Sequence, residues 1–167
     1  MDLLELSTQA SKDGLPVRCV VPPRPIGALL GLTGSQNPFA GTRSYHAIAH
    51  LPVAERVRIM RDPAVRARIT TEDPTEFNTW SLLVRIGFER MFRFVDPLNY
   101  TPAKEDSLAA IAQRTGRTPQ EVAYDILIED EGKGFIFACL VNYANYDLEA
   151  VKTMYGREHV MPGLSDG

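Results

Sequence analysis

Residues 3–27 constrain the fold more tightly than any other stretch. Leu3, Leu4, Leu6 and Ala10 recur at helical spacing, and Gly14 stands where a helix C-terminal glycine belongs. No capping residue is read ahead of Leu3, which is what a helix already in progress would look like. Residues 16–21 follow, with Val17, Cys19, Val20 and Val21 nearly all apolar. Such a continuous apolar run is expected of a strand buried on both faces of a parallel sheet. Pro22, Pro23 and Pro25 then stop it, because proline donates no ladder hydrogen bond and cannot sit inside a helix. Helix, tight glycine, buried strand and stiff loop make half of a βαβ unit.

The rest of the chain is expected to repeat that alternation unevenly. Residues 28–32 are a short apolar segment, and 33–43 a polar loop. Ser44 is expected to cap a short helix through Leu51. Pro52 sits at the first turn of the next, which ends near Arg61. Asp62 caps a third helix from Pro63 through Thr71. Residues 77–94 are read as helix, followed by a short strand at 93–95. Asp106 or Ser107 opens a helix closed by Gly116. Thr118-Pro119-Gln120-Glu121 is a capping box with proline at the first helical position, and its helix is expected to run to about Glu131. Residues 135–141 are a second buried strand, 142–146 a turn, 147–155 a helix ended by Gly156, and 160–164 the last strand. The fold class read from this order is α/β, helix-rich, with three or four short parallel strands and a mostly helical insertion at 27–102.

The chain has 167 residues and a formal net charge of −3. Lys and Arg are spread among the acids, so neither a nucleic-acid nor an acidic-membrane partner is expected. No apolar run reaches the ~20 residues of a membrane span. Cys19 and Cys139 stand far apart in apolar surroundings and are expected to be buried free thiols; a disulfide or a metal thiolate is the other reading. A cytoplasmic location is the default expectation.

Asp166 is the leading candidate for chemistry. A carboxylate at the C-terminal end of a strand, followed by Gly167, suits a general base or a hard metal ligand; capping a loop is the other use of such an Asp. Arg24, framed by prolines at a strand end, could clamp a carboxylate. Asn142, with Tyr143, could line a pocket at the end of the 135–141 strand. His46 and His50, four apart in the expected 44–51 helix, would share a face, but no third ligand stands near them. They are read as surface histidines, and His159 as a loop residue. Glu129-Asp130-Glu131 is read as a solvated turn.

Several stretches are similar, in order, to the later part of N-acyl-D-amino-acid deacylases of the amidohydrolase superfamily. They are Leu15-Pro16-Val17-Arg18-Cys19-Val20-Val21-Pro22-Pro23-Arg24-Pro25-Ile26-Gly27, Leu29-Leu30-Gly31-Leu32, Asn37-Pro38-Phe39, Leu51-Pro52-Val53-Ala54-Glu55-Arg56-Val57, Met60-Arg61-Asp62-Pro63, Arg66-Ala67-Arg68-Ile69, Tyr100-Thr101-Pro102, Glu105-Asp106-Ser107, Asn142-Tyr143-Ala144 and Gly163-Leu164-Ser165-Asp166-Gly167. The resemblance implies a metal-dependent hydrolase on a distorted (β/α)8 barrel, with 16–21 as its seventh strand and 160–164 as its eighth. It implies zinc as cofactor and an N-acyl amino acid as small-molecule substrate. Asp166 would contact the metal and shuttle the proton of the attacking water.

The family's first-strand His-x-His and later histidines have no counterpart in this sequence, whose histidines are His46, His50 and His159. The chain is therefore expected to be a slice of a barrel, from the sixth helix to the eighth strand, inactive alone and prone to self-association through exposed barrel faces. A non-catalytic interaction module and one half of a two-chain enzyme are the alternatives.

Overall fold

A computed structural model describes residues 2–74, 76 and 87–163. In chain order the helices are α1 (Leu3–Lys12), α2 (Arg43–His46), α3 (Val53–Met60), α4 (Pro63–Thr71), α5 (Leu108–Thr115), α6 (Pro119–Ile128) and α7 (Glu149–Tyr155). The strands are β1 (Cys19–Val21), β2 (Ile26–Gly31), β3 (Met91–Arg93), β4 (Phe135–Val141) and β5 (Val160–Pro162). The α/β class and its helix-rich character are as the sequence indicates. Among the described residues, no helix is long and apolar enough to cross a membrane. The chain divides into a terminal unit, residues 1–26 with 141–167, and a central unit, residues 27–140.

In the terminal unit β1 and β5 pair in parallel, with Cys19 opposite Val160, Val20 opposite Met161 and Val21 opposite Pro162. The Gly163 amide extends the ladder by donating to the Val21 carbonyl at 3.1 Å. Helix α7 packs on both strands. Side chains alternate across a strand, so Val20 and Met161 share one face, and they are 55% and 48% exposed. The expectation of a strand buried on both faces is thus corrected. Val21 is buried, Cys19 only half so, and the sheet has one bare face. Helix α1 buries none of its residues. It does have a cap: the Asp2 carboxylate accepts from the Leu4 amide at 3.1 Å, contrary to the uncapped start read from the sequence.

The central unit holds a three-stranded sheet in the order β2-β4-β3. β3 runs antiparallel to β4, with Phe92 opposite Phe137, which corrects the expectation that the strands are parallel throughout. Strand direction follows from how the chain returns between β3 and β4, and apolar periodicity carries no record of that. β3 also lies two residues earlier than expected. β2 is a strand where a proline-stopped loop and a short apolar segment were read: Pro25 ends the loop and Ile26 opens the ladder. The helical part of the 77–94 reading falls on 77–86, outside the described residues.

The core of this unit joins Leu30, Leu32, Phe39, Val57, Met60, Ile69, Met91, Leu108, Tyr124, Leu127 and Ile136, each almost fully buried. Burying one such side chain is worth about 1.5–3 kcal/mol. Tyr124 sits at the centre. Its ring meets Phe39 edge-on at 5.6 Å, Arg66 lies 5.4 Å over its centroid, and its hydroxyl donates to the Met60 carbonyl at 2.7 Å. Burial raises its phenol well above the ordinary value. Asp125, the next residue, takes Arg66 from α4 and Arg117 from the α5–α6 loop. The hydrogen bond to Asp125 raises the Arg66 guanidinium further.

Helix α6 begins at the capping box read from the sequence. The Thr118 hydroxyl accepts from the Glu121 amide at 3.2 Å, and the Glu121 carboxylate accepts from the Thr118 amide at 2.9 Å. It ends at Ile128, three residues early, because Asp130 and Glu131 turn into the left-handed region with φ of 44° and 55°. That turn is exposed and ion-paired, Glu129 to Arg93 at 2.6 Å and Glu131 to Arg61 at 2.7 Å, in keeping with the solvated turn expected there. Gly134 is required where α6 meets β4, since a Cβ there would strike the Ile126 carbonyl.

Candidate functional site

The C-terminal ends of parallel strands are where α/β folds place their chemistry, and in the terminal unit those ends are Val21 and Pro162. The Val21 carbonyl accepts from the Tyr155 hydroxyl at 2.7 Å as well as from Gly163. Helix α7 is thereby pinned to the point where β1 gives way to the proline loop. Asn142 lies just past β4 with φ of 64°, a left-handed conformation that Asn tolerates better than most side chains. That bend lets its Nδ2 donate to the Pro22 carbonyl at 3.4 Å. Arg24, half-buried two residues further on, donates from Nη1 to the Pro25 carbonyl at 3.4 Å. Asn142 is therefore hydrogen-bonded to the same stiff loop at the end of β1 that carries Arg24. Tyr143, the residue after Asn142, is buried, its ring edge-on to Tyr146 with centroids 6.2 Å apart.

Asp166 lies outside the described residues. The last described position is Gly163, three residues before it. Proline on both sides makes the Arg24 loop stiff, so a cation is held there at low entropic cost. A planar guanidinium and a carboxamide are both groups that hydrogen-bond a carboxylate or an amide carbonyl.

The histidines occupy other places. α2 is capped by Thr42, not Ser44, and ends at His46, leaving His50 in the turn that follows. The two therefore do not share a helix face, which corrects the 44–51 helix. Both are exposed. His159 is buried at 4% exposure, at the N-terminal end of β5. Its Nε2 lies 3.0 Å from the Ser7 hydroxyl on α1, which also donates to the Leu4 carbonyl at 2.9 Å. Its own carbonyl accepts from the Cys19 amide at 2.9 Å. One residue ties α1, β1 and β5 together. Nothing in the sequence announced this, because Ser7 and His159 stand at opposite ends of the chain.

The thiols are both free. Cys139 is fully buried in β4, and burial pushes it up to about 11. Among the described residues, no group of three or more His, Cys, Asp or Glu side chains could hold a metal ion. The zinc implied by the family resemblance therefore finds no fitting donor set there. Comparison with protein-family models, with curated proteins and with solved structures found no match.

Proposed function

We propose that this chain is a segment of a C–N hydrolase of the amidohydrolase type, acting on N-acyl-D-amino acids, and that its barrel portion is the terminal unit. The observation that carries the reading is the parallel register of β1 with β5, each strand preceded by its own helix. These are the segments that the sequence resemblance assigns to the seventh and eighth strands of a barrel. Val20 and Met161 share a face that is about half exposed, while α7 packs on both strands and Val21 and Val151 are buried. In a (β/α)8 barrel the helices cover the outer face and the inner face is filled by side chains of the other strands. Two adjacent strands taken from a barrel would have this pattern of cover.

In this reading Asp166 takes the proton of the attacking water and passes it to the leaving nitrogen. Arg24 and Asn142 orient the substrate's carboxylate and amide. The described residues supply no donor set for a metal.

Reading the coding sequence upstream of Met1 tests the assignment directly. An in-frame continuation carrying a first-strand His-x-His supports it, and a stop codon or an unrelated sequence immediately upstream removes it. The chain alone is expected to show no turnover of N-acyl-D-amino acids with added Zn²⁺. In the continuous protein Asp166→Asn should lower kcat by about 10²–10⁴-fold, the usual worth of a general base. Turnover by the chain alone, abolished by Asp166→Asn, would instead make it an enzyme in its own right.

The bare face also favours an interaction reading. Exposed apolar strands look for cover, so a second chain seated on Val20 and Met161 is the alternative.

A further inference from the structure

We propose that the central unit carries a second small-molecule site, independent of the hydrolase reading, for a ligand with a compact apolar body and one ammonium head. The site is a cavity of about 270 Å³ in which β3, β4, α5 and the 95–102 loop each supply a wall. Its floor is the cross-strand pair Phe92 and Phe137, both buried. Ile111 of α5 forms one side, and Leu98 and Pro102 the loop side. The volume equals about nine water volumes at ~30 Å³ each, so it suits a molecule of roughly that many non-hydrogen atoms. Mostly apolar walls with a few convergent polar groups are the ordinary character of a small-molecule site.

The polar groups set the sign of the ligand. Arg93 borders the cavity, but its guanidinium is paired with Glu129 at 2.6 Å. Asn99 borders it too, and its Oδ1 is already used by the Thr101 amide at 2.9 Å. The Asp106 carboxylate also borders the cavity and makes no hydrogen bond or ion pair among the described residues. One neutralised cation and one unneutralised carboxylate leave a site that attracts a positive head. An anionic ligand would have to displace Glu129 from Arg93 and face Asp106. Phe92 and Phe137 favour an aromatic or aliphatic body by contact area.

Three probes of one size separate the possibilities: phenethylamine, its neutral alcohol counterpart, and phenylacetate. Titrated into the full chain and followed by methyl and aromatic NMR shifts, the amine should bind saturably and move Ile111, Leu98, Phe92 and Phe137. The order should be amine, then alcohol, then carboxylate. Asp106 is exposed, so the amine's advantage over the alcohol is expected to be about two- to fivefold. Asp106→Asn, a surface change, should remove that advantage and leave the alcohol unaffected. Leu98→Trp, which fills the cavity from its loop side, should abolish binding of both. The proposal is overturned if no probe shifts these four residues saturably. It is equally overturned if phenylacetate binds best, or if Asp106→Asn leaves the amine's advantage intact.

Discussion

The two units of this chain solve the problem of burying apolar surface very differently. Every member of the main core cluster belongs to residues 27–140. The terminal unit is under a third of the length; among its described residues the buried large apolar side chains are Val21, Tyr143 and Val151, whereas Leu3, Leu6, Leu15, Val20, Val141 and Met161 are exposed. The central unit joins residues of its sheet and helices in one core around Tyr124. The terminal unit has two parallel three-residue strands, one helix against them, and a second helix, α1, with nothing buried. Parallel pairs are found where both faces are covered. A bare parallel pair is therefore a structural statement about what such strands are made to pack against, and the hydrolase proposal rests on it.

The contrast can be broken or sharpened by experiment, beginning where the largest effect is expected. Tyr124→Ala should cost about 3–5 kcal/mol by the usual scale for emptying an aromatic core position. Denaturant unfolding would report it; a loss below 1 kcal/mol would mean that the central unit is not organised around this ring.

A pH effect should follow from Cys139 in the same unit. Its thiol titrates near 9 when unfolded and is pushed up to about 11 when folded. Below pH 9 both states hold the proton and there is no effect. Between 9 and 11 the unfolded state loses a proton that the folded state keeps, so stability falls with rising pH, by roughly 2–3 kcal/mol. Cys139→Ala should flatten that slope in a denaturation series from pH 8 to 11.

In the terminal unit Ser7→Ala should cost about 1 kcal/mol, by leaving the His159 ring nitrogen without its partner. Hydrogen exchange would localise the change: α1 amides should lose protection while α6 amides keep theirs. Equal losses in both helices would erase the distinction between the units.

The smallest stability effect is expected at the bare face. Val20→Ser and Met161→Ser should change unfolding free energy by no more than about 0.5 kcal/mol, while lowering any self-association seen by light scattering. A large destabilisation at Val20 would show that the face is covered within the chain itself.

Legibility in the sequence varied with the range of the interaction. The Thr118 capping box and the Asp62 cap were readable because donors and acceptors stand within four residues. So was the apolar face of α6: Val122, Ala123, Ile126 and Leu127 recur at helical spacing and are all buried. The burial of Tyr124 was not readable, since a tyrosine on that face could as well have reached solvent. β2 was masked by the prolines before it, and the capping role of Asp2 by its place at the start. Among the site candidates, the stiffness of the Arg24 loop was legible from the prolines that frame it. The tie from Asn142 to that loop was not, because the Asn142–Pro22 bond joins residues 120 positions apart.

The sequence by itself determined the local grammar of this protein: where helices begin, where glycine and proline end them, and which segments are apolar enough to be strands. Those decisions are made by backbone sterics and by hydrogen bonds between near neighbours. Tertiary structure alone decided that β1 pairs with β5 in parallel and β3 with β4 in antiparallel. It also decided that His159 anchors α1 and that one face of the terminal sheet stays bare. These depend on how distant segments return to one another in space, and that return is set by the packing of the whole, which no single stretch of sequence encodes.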